Sequence, residues 1–236
     1  MNRRSIQLLL ISLIFFTPMI AVAQTPLHPR PIKREVPVAT YETSGEPYDY
    51  FMKILANVGY EDTIPSLLYA LYDEHPIISH YASRLLRKFP DSPEVVAELN
   101  KAIGDDREWI MYSAAETLQI WGKTEWIAKA VERLPNVEKH STQIYLSGVL
   151  ARAGNTSGWE YVISPLLDRS ATTHSSLVRD ALNTMQLFDG KIGPDGQKID
   201  VLSKLSDFAE SVLPEIRPMV IEKIGHIRLS QQDRRK

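Results

Sequence analysis

From Pro47 onward, apolar residues recur at intervals of three and four positions, and glycine or proline follows several of these runs. That spacing places the apolar side chains on one face of an α-helix. One segment shows the pattern in full, with Ile110, Ala114 and Leu118 on one face and Gly122 after them. No convincing strand pattern interrupts these runs. The pattern therefore predicts an all-α protein.

The helical pattern repeats at intervals of 31 to 39 residues. The position of Leu118 is filled in other repeats by Leu55, Leu86, Leu150, Met185 and Ile224. Between these helices lies a second set, whose equivalent positions are Leu71, Ile103, Leu134 and Leu166. A pair of such short helices cannot cover its own apolar face, so each pair must stack on its neighbours. The sequence predicts an α-solenoid of about five helix pairs plus a C-terminal helix from about Pro214 to Ile227.

The repeat resembles the HEAT repeats of the bilin-lyase-like type. The resemblance rests on the first-helix positions Ile110, Ala114, Ala115, Leu118 and Gly122, and on a second helix with an early proline (Ile64-Pro65) and a terminal aspartate (Asp73, Asp105 and Asp168). It covers residues 46–228, which we interpret as one HEAT-like domain of stacked pairs. The resemblance specifies a fold far more narrowly than a function.

Residues 1–23 have the features of a secretory signal peptide. Arg3 and Arg4 precede an apolar stretch without charge, which ends in Ala21-Val22-Ala23. Small residues at those positions suit a signal peptidase, so we predict cleavage after Ala23 and a periplasmic or secreted protein. The alternative is an uncleaved N-terminal anchor.

Two further segments flank the predicted domain. Residues 24–45 contain four prolines among polar and basic residues, without apolar periodicity, and are typical of a linker. Residues 229–236 are predicted to form a charged tail.

Composition removes several classes of function. Lys and Arg number 27 against 29 Asp and Glu, so there is no basic excess of the kind that nucleic acid binding needs. The chain has no cysteine, which excludes disulfides, thiolate metal sites and a cysteine nucleophile.

Candidate catalytic residues form no recognisable set. The resembled family includes iron hydroxylases that use adjacent His-Glu pairs, but none of the six histidines here is followed by glutamate. We expect His80 and His140 to lie near helix starts with solvated rings. The loop from Asp189 to Asp200 matches a calcium-binding EF-hand loop poorly, since its third and sixth positions are Lys191 and Pro194. We predict no enzyme activity, no metal and no cofactor.

In HEAT solenoids the second helix of each pair lines the concave side. The resemblance thus implies outward-facing side chains on these helices, and the candidate contact residues are Tyr69, Tyr72, Lys101, Trp126, Glu132 and Trp159. The alternative for the two tryptophans is that they fill gaps between repeats. We predict an exported scaffold that binds a protein or peptide on this face. The alternatives are a metal-dependent or hydrolytic enzyme with a site between repeats, and an envelope structural module anchored by its N-terminus.

Overall fold

The computed structural model describes residues 47–167, 175–212 and 214–233. These ranges contain eleven α-helices, no strand, and an isolated antiparallel bridge between Ile192 and Lys198. The helices are α1 (Pro47–Asn57), α2 (Ile64–Leu71), α3 (Pro76–Leu86), α4 (Pro93–Ala102), α5 (Glu108–Ile120), α6 (Ile127–Arg133), α7 (His140–Arg152), α8 (Trp159–Leu167), α9 (Ser175–Met185), α10 (Val201–Ser211) and α11 (Arg217–Asp233). The predicted all-α class is confirmed for the described residues. The predicted signal peptide and linker lie outside them.

The last helix differs from its prediction at both ends. It begins at Arg217 rather than Pro214, because Pro218 occupies the first helical turn, where a missing N–H costs nothing. It continues beyond Ile227 to Asp233, since no glycine or proline interrupts residues 228–233. Part of the predicted tail is therefore helical. None of the helices in the described ranges is both long enough and apolar enough to cross a bilayer.

Three first helices end in the same way. Gly59, Gly122 and Gly154 have φ angles of 94°, 69° and 86°, which residues with a side chain rarely adopt. Each glycine lets the next residue donate its backbone N–H back to a carbonyl one turn and a half earlier, as in a Schellman motif. The three acceptors, at 2.9 to 3.0 Å, are Leu55, Leu118 and Leu150. These leucines are the repeat-equivalent positions, so the predicted helix ends and their register are confirmed here.

Most helices adjacent in sequence pack on one another: α2 on α3, α4 on α5, α6 on α7, α7 on α8, α8 on α9 and α10 on α11. The odd-numbered helices also contact one another in succession, with α3 on α5, α5 on α7 and α7 on α9. The apolar core forms two clusters that divide at α7. Its Leu146, Val149 and Leu150 join the N-terminal cluster, whereas Ile144 and Ala151 join the C-terminal one.

Candidate functional site: the second-helix surface and an adjoining cavity

The two predicted tryptophans do not lie on the surface. Trp126 is 1% exposed, and its indole Nε1–H donates to the backbone carbonyl of Lys123 at 2.9 Å. Trp159 is 6% exposed, and its ring centroid lies 5.3 Å from that of Phe188. A buried indole contributes a large apolar area to packing. The burial of both rings agrees with the alternative that they fill gaps between repeats, and their contact with a partner stays a prediction.

The other four predicted residues are more accessible. Lys101 and Glu132 are exposed, on α4 and α6. Tyr69 is half-buried on α2, with its ring centroid 6.1 Å from that of Tyr60. Tyr72 is half-buried at the C-terminus of the same helix. The structure brings Tyr72 and Lys101 together and places the others at separate points.

Tyr72 lies at the centre of a cluster of side chains from the end of α2, from α4 and from the turn after α4. We call Tyr72, Glu98, Lys101, Asp105 and Arg107 the Tyr72 cluster. The tyrosine hydroxyl donates to Glu98 Oε1 at 2.7 Å, and the cations of Lys101 and Arg107 lie 5.7 and 5.8 Å from the ring centroid. Burial, followed by the hydrogen bond and negative charge of Glu98, raises the pKa of Tyr72 far above its usual value. The phenol therefore stays neutral and acts as a donor at physiological pH.

The turn after α4 is closed by one carboxylate. Asp105 accepts three hydrogen bonds from Arg107, from the backbone N–H at 2.9 Å, from Nε at 2.8 Å and from Nη2 at 2.9 Å. The remaining Nη1 donates to the carbonyl of Tyr72 at 2.8 Å. Burial by itself would raise the pKa of Asp105, but the hydrogen bonds and charge of Arg107 outweigh it, so this pKa lies below its usual value. The ion pair and this bond tie the turn between α4 and α5 to the end of α2.

The same turn occurs one repeat earlier. Asp73 accepts the backbone N–H of His75 at 2.7 Å, as Asp105 accepts that of Arg107. At the next equivalent position the residue is Asn136. There the carboxylate comes from the preceding repeat, because Glu108 Oε1 accepts the N–H groups of Glu138 at 2.5 Å and Lys139 at 3.1 Å. Glu108 thus supports the N-terminus of α7 from the first turn of α5.

A cavity of about 540 Å³ lies at the turn of residues 136–139, between α6 and α7. Its walls come from the start of α5 and from the connection between α6 and α7, and Arg107 joins it to the Tyr72 cluster. Two lining residues each carry a buried polar atom without a hydrogen-bond partner: Oε2 of Glu108 and Nε1 of Trp109. Buried polar groups in proteins are nearly always paired, so two unpaired atoms at one cavity mark it as a candidate binding site.

The residues considered for metal binding are engaged otherwise or lie apart. His80 is half-buried rather than solvated, and burial lowers its pKa. His140 is exposed, with Nδ1 3.0 Å from Gln143 Oε1. The carboxylates of the loop from Asp189 to Asp200 accept backbone N–H groups of Val201, Gln197 and Ser203. In the described part of the chain, no three His, Asp or Glu side chains are arranged to hold a metal ion.

Sequence reasoning missed most of this site. Asp73 and Asp105 were recognisable as turn residues from their spacing, but nothing in the sequence indicates that Glu108 supports the following repeat. Its role depends on where α7 begins in space. Trp109 was not singled out because an indole in a helix is indistinguishable by pattern from one in the core.

Comparisons with protein-family models, with curated proteins and with solved structures found no match to this chain.

Proposed function

We propose that this chain is an exported HEAT-like α-solenoid that acts as a scaffold, binding a protein or peptide partner rather than catalysing a reaction. Two recurrent local structures support the repeat architecture. Equivalent leucines accept the closing hydrogen bond at three helix ends, and equivalent aspartates close two turns. Successive contacts among α3, α5, α7 and α9 are those that stacked repeats require.

The observation that carries partner binding is the continuity of the Tyr72 cluster with the cavity. Arg107 belongs to both, so one surface runs from the end of α2 past α4 to the start of α7. Lys101 is exposed on this surface and Glu132 lies on the next second helix. Aromatic and arginine side chains are enriched at interface hot spots, and peripheral charges guide association. A surface of this composition suits a polar segment of another protein.

The partner is best sought by chemical cross-linking in the native envelope fraction, with tagged protein that keeps its own N-terminal segment. Wild type and the double variant K101A/E132A are compared. The matched control is K204A/E210A, which removes one exposed cation and one exposed anion from α10. We expect one partner to be recovered with wild type and control and to be lost with K101A/E132A. Equal recovery with all three proteins would contradict binding on the second-helix surface.

Export is proposed from residues 1–23 alone, which lie outside the described residues. Mass spectrometry of the purified native protein tests it directly. A mature N-terminus at Gln24 supports cleavage and a periplasmic or secreted location. An intact N-terminus in the membrane fraction would instead support the anchored alternative.

A further inference from the structure

We infer that the cavity at the start of α5 and α7 binds a side-chain carboxamide, that of a glutamine or asparagine in a partner peptide. The inference extends the proposed function, because the partner supplies the amide. It rests on separate residues, however, since the chemistry of the cavity depends on Glu108 and Trp109 and not on Lys101 or Glu132.

The two unpaired atoms are of opposite type. Oε2 of Glu108 can only accept a hydrogen bond while the carboxylate is ionised, and Nε1–H of Trp109 can only donate one. They belong to consecutive residues in the first turn of α5. The other oxygen of Glu108, Oε1, already accepts the N–H groups of Glu138 and Lys139, just before α7. A ligand that satisfies both atoms must therefore present both a donor and an acceptor.

This requirement selects among the chemical groups that a peptide carries. Lysine and arginine side chains have donors and no acceptor, so they leave the indole N–H unpaired. A carboxylate accepts from the indole but places its own negative charge beside Glu108. Hydroxyl groups, a neutral imidazole and the peptide backbone also carry a donor and an acceptor. We choose the primary carboxamide because it is a neutral side-chain group with an oxygen for Trp109 and an NH₂ group for Glu108.

The charge and size of the cavity agree with a neutral group. Its lining contains three cationic and three anionic side chains, which are Arg107, Arg133, Lys139, Asp106, Glu108 and Glu138. Neither sign dominates. The volume of about 540 Å³ far exceeds the roughly 30 Å³ share of a single water molecule and falls within the range of small-ligand sites.

Binding includes a side-chain adjustment. Both unpaired atoms are shielded from solvent in the free protein, although their residues line the cavity. The carboxamide reaches them after rotation of the Glu108 and Trp109 side chains. Rotamer changes of this kind at binding sites are common, even where the backbone stays in place.

The test follows the indole N–H signals of ¹⁵N-labelled protein by NMR. The chain has four tryptophans, and the substitution W109F identifies the Trp109 signal. Trp121 and Trp126 donate to backbone carbonyls at 3.2 and 2.9 Å and serve as internal references. The probes are three blocked tripeptides that differ only in a central Gln, Glu or Lys, together with free acetamide.

We expect the Gln peptide to shift the Trp109 signal to saturation, while the two reference signals stay in place. The three peptides have identical backbones, so a difference in affinity comes from the central side chain. The Glu and Lys peptides should bind at least tenfold more weakly, because Glu brings a negative charge beside Glu108 and Lys has no acceptor for Trp109. A stronger response to acetamide than to the Gln peptide would overturn the peptide source of the amide. No shift with any probe, or equal shifts with all three peptides, would overturn the carboxamide site and leave water as the only occupant.

The substitution E108Q reverses the chemistry with little change of shape. The carbonyl oxygen of the glutamine can still accept the N–H groups of Glu138 and Lys139, while an NH₂ group replaces Oε2. We expect the preference to change from the Gln peptide to the Glu peptide, by about tenfold. Unchanged preference in a folded E108Q protein would contradict the role of Oε2.

A further variant separates this inference from the proposed function. K101A/E132A should bind the Gln peptide as wild type does, even where it no longer captures the partner. Loss of the Trp109 response in K101A/E132A would overturn the assignment of the site to Glu108 and Trp109. Partner capture that is lost in K101A/E132A and kept in E108Q would support the surface and overturn the inference that the captured partner supplies the amide.

Discussion

The turn at residues 105–107 and the turn at residues 136–139 perform the same task with different residues. Both must satisfy backbone N–H groups at the start of a first helix, where no carbonyl of the helix can reach them. In the first turn, Asp105 does so locally and binds Arg107 as well. In the second, Asn136 stands at the aspartate position and Glu108 reaches across from the preceding repeat.

The difference shows how a change in one repeat can open a site. The local aspartate uses both of its oxygens, because the arginine two residues later faces it. The remote Glu108 uses one oxygen on α7 and leaves the other unpaired, with the Trp109 indole N–H also unpaired and a cavity beside them. A repeat that keeps the usual turn is closed by its own residues. The repeat that departs from it leaves two buried polar atoms unpaired in residues that line a cavity, which is the basis of the proposed carboxamide site.

The largest effect on the free energy of unfolding is expected at the turn of residues 105–107. D105A should lower the free energy of unfolding by about 2 kcal/mol, because hydrogen bonds to a charged partner are lost and Arg107 stays half-buried without its anion. The neighbouring D106A is the matched control, since the Asp106 side chain is 98% exposed and should contribute almost nothing. Urea denaturation measures both. Equal effects of D105A and D106A on the free energy of unfolding would contradict a stabilising role for the hydrogen bonds between Asp105 and Arg107.

A smaller effect is expected at the second turn. E108A should lower the free energy of unfolding by about 1 kcal/mol, because the two N–H groups just before α7 lose their acceptor while an unpaired buried oxygen is removed with it. Adding N136D to E108A supplies a local aspartate like Asp73 and Asp105.

This second substitution should recover at least half of the loss in E108A, and little or nothing in wild type, where Glu108 already accepts the same N–H group. Thermal and urea unfolding of the four proteins of this cycle measure the coupling. Equal effects of N136D in both backgrounds would contradict the replacement of one carboxylate by the other.

The smallest effect concerns pH at the first turn. The pKa of Asp105 lies below its ordinary value of 3.8, with Arg107 and Arg133 as the nearby cations. A carboxyl whose pKa is lower in the folded state stabilises the protein above the unfolded pKa and loses that contribution as the pH falls. The difference in unfolding free energy between wild type and D105N should therefore be full at pH 7 and shrink below pH 3.8. A difference that stays constant down to pH 2 would contradict the ion pair.

Some parts of this molecule follow from local sequence. Gly59, Gly122 and Gly154 end helices because only glycine readily adopts the positive φ that the closing hydrogen bond requires. Asp73 and Asp105 were recognisable as turn residues for a similar reason, since an aspartate can accept the N–H two residues later. Both features depend on neighbours within a few positions.

Other parts do not follow from it. Trp126 and Trp159 sit at positions that the resemblance placed on a surface, yet their rings are buried among other elements. A helical pattern identifies the apolar face of a helix, but a large side chain at its border can turn inward or outward with the packing of the next helix. The end of α11 was misjudged because nothing in the charged segment itself stops a helix.

The sequence by itself determined the helical class, the repeat period and the positions at which first helices stop, since these depend on apolar spacing and on glycine conformation. Only the tertiary structure decided that Arg107 joins the Tyr72 cluster to the cavity and that Glu108 supports α7 with one oxygen. Those contacts span 30 to 35 positions. They form only when stacked helices bring distant carboxylates, guanidinium groups and backbone N–H groups within hydrogen-bond distance, which no local pattern encodes.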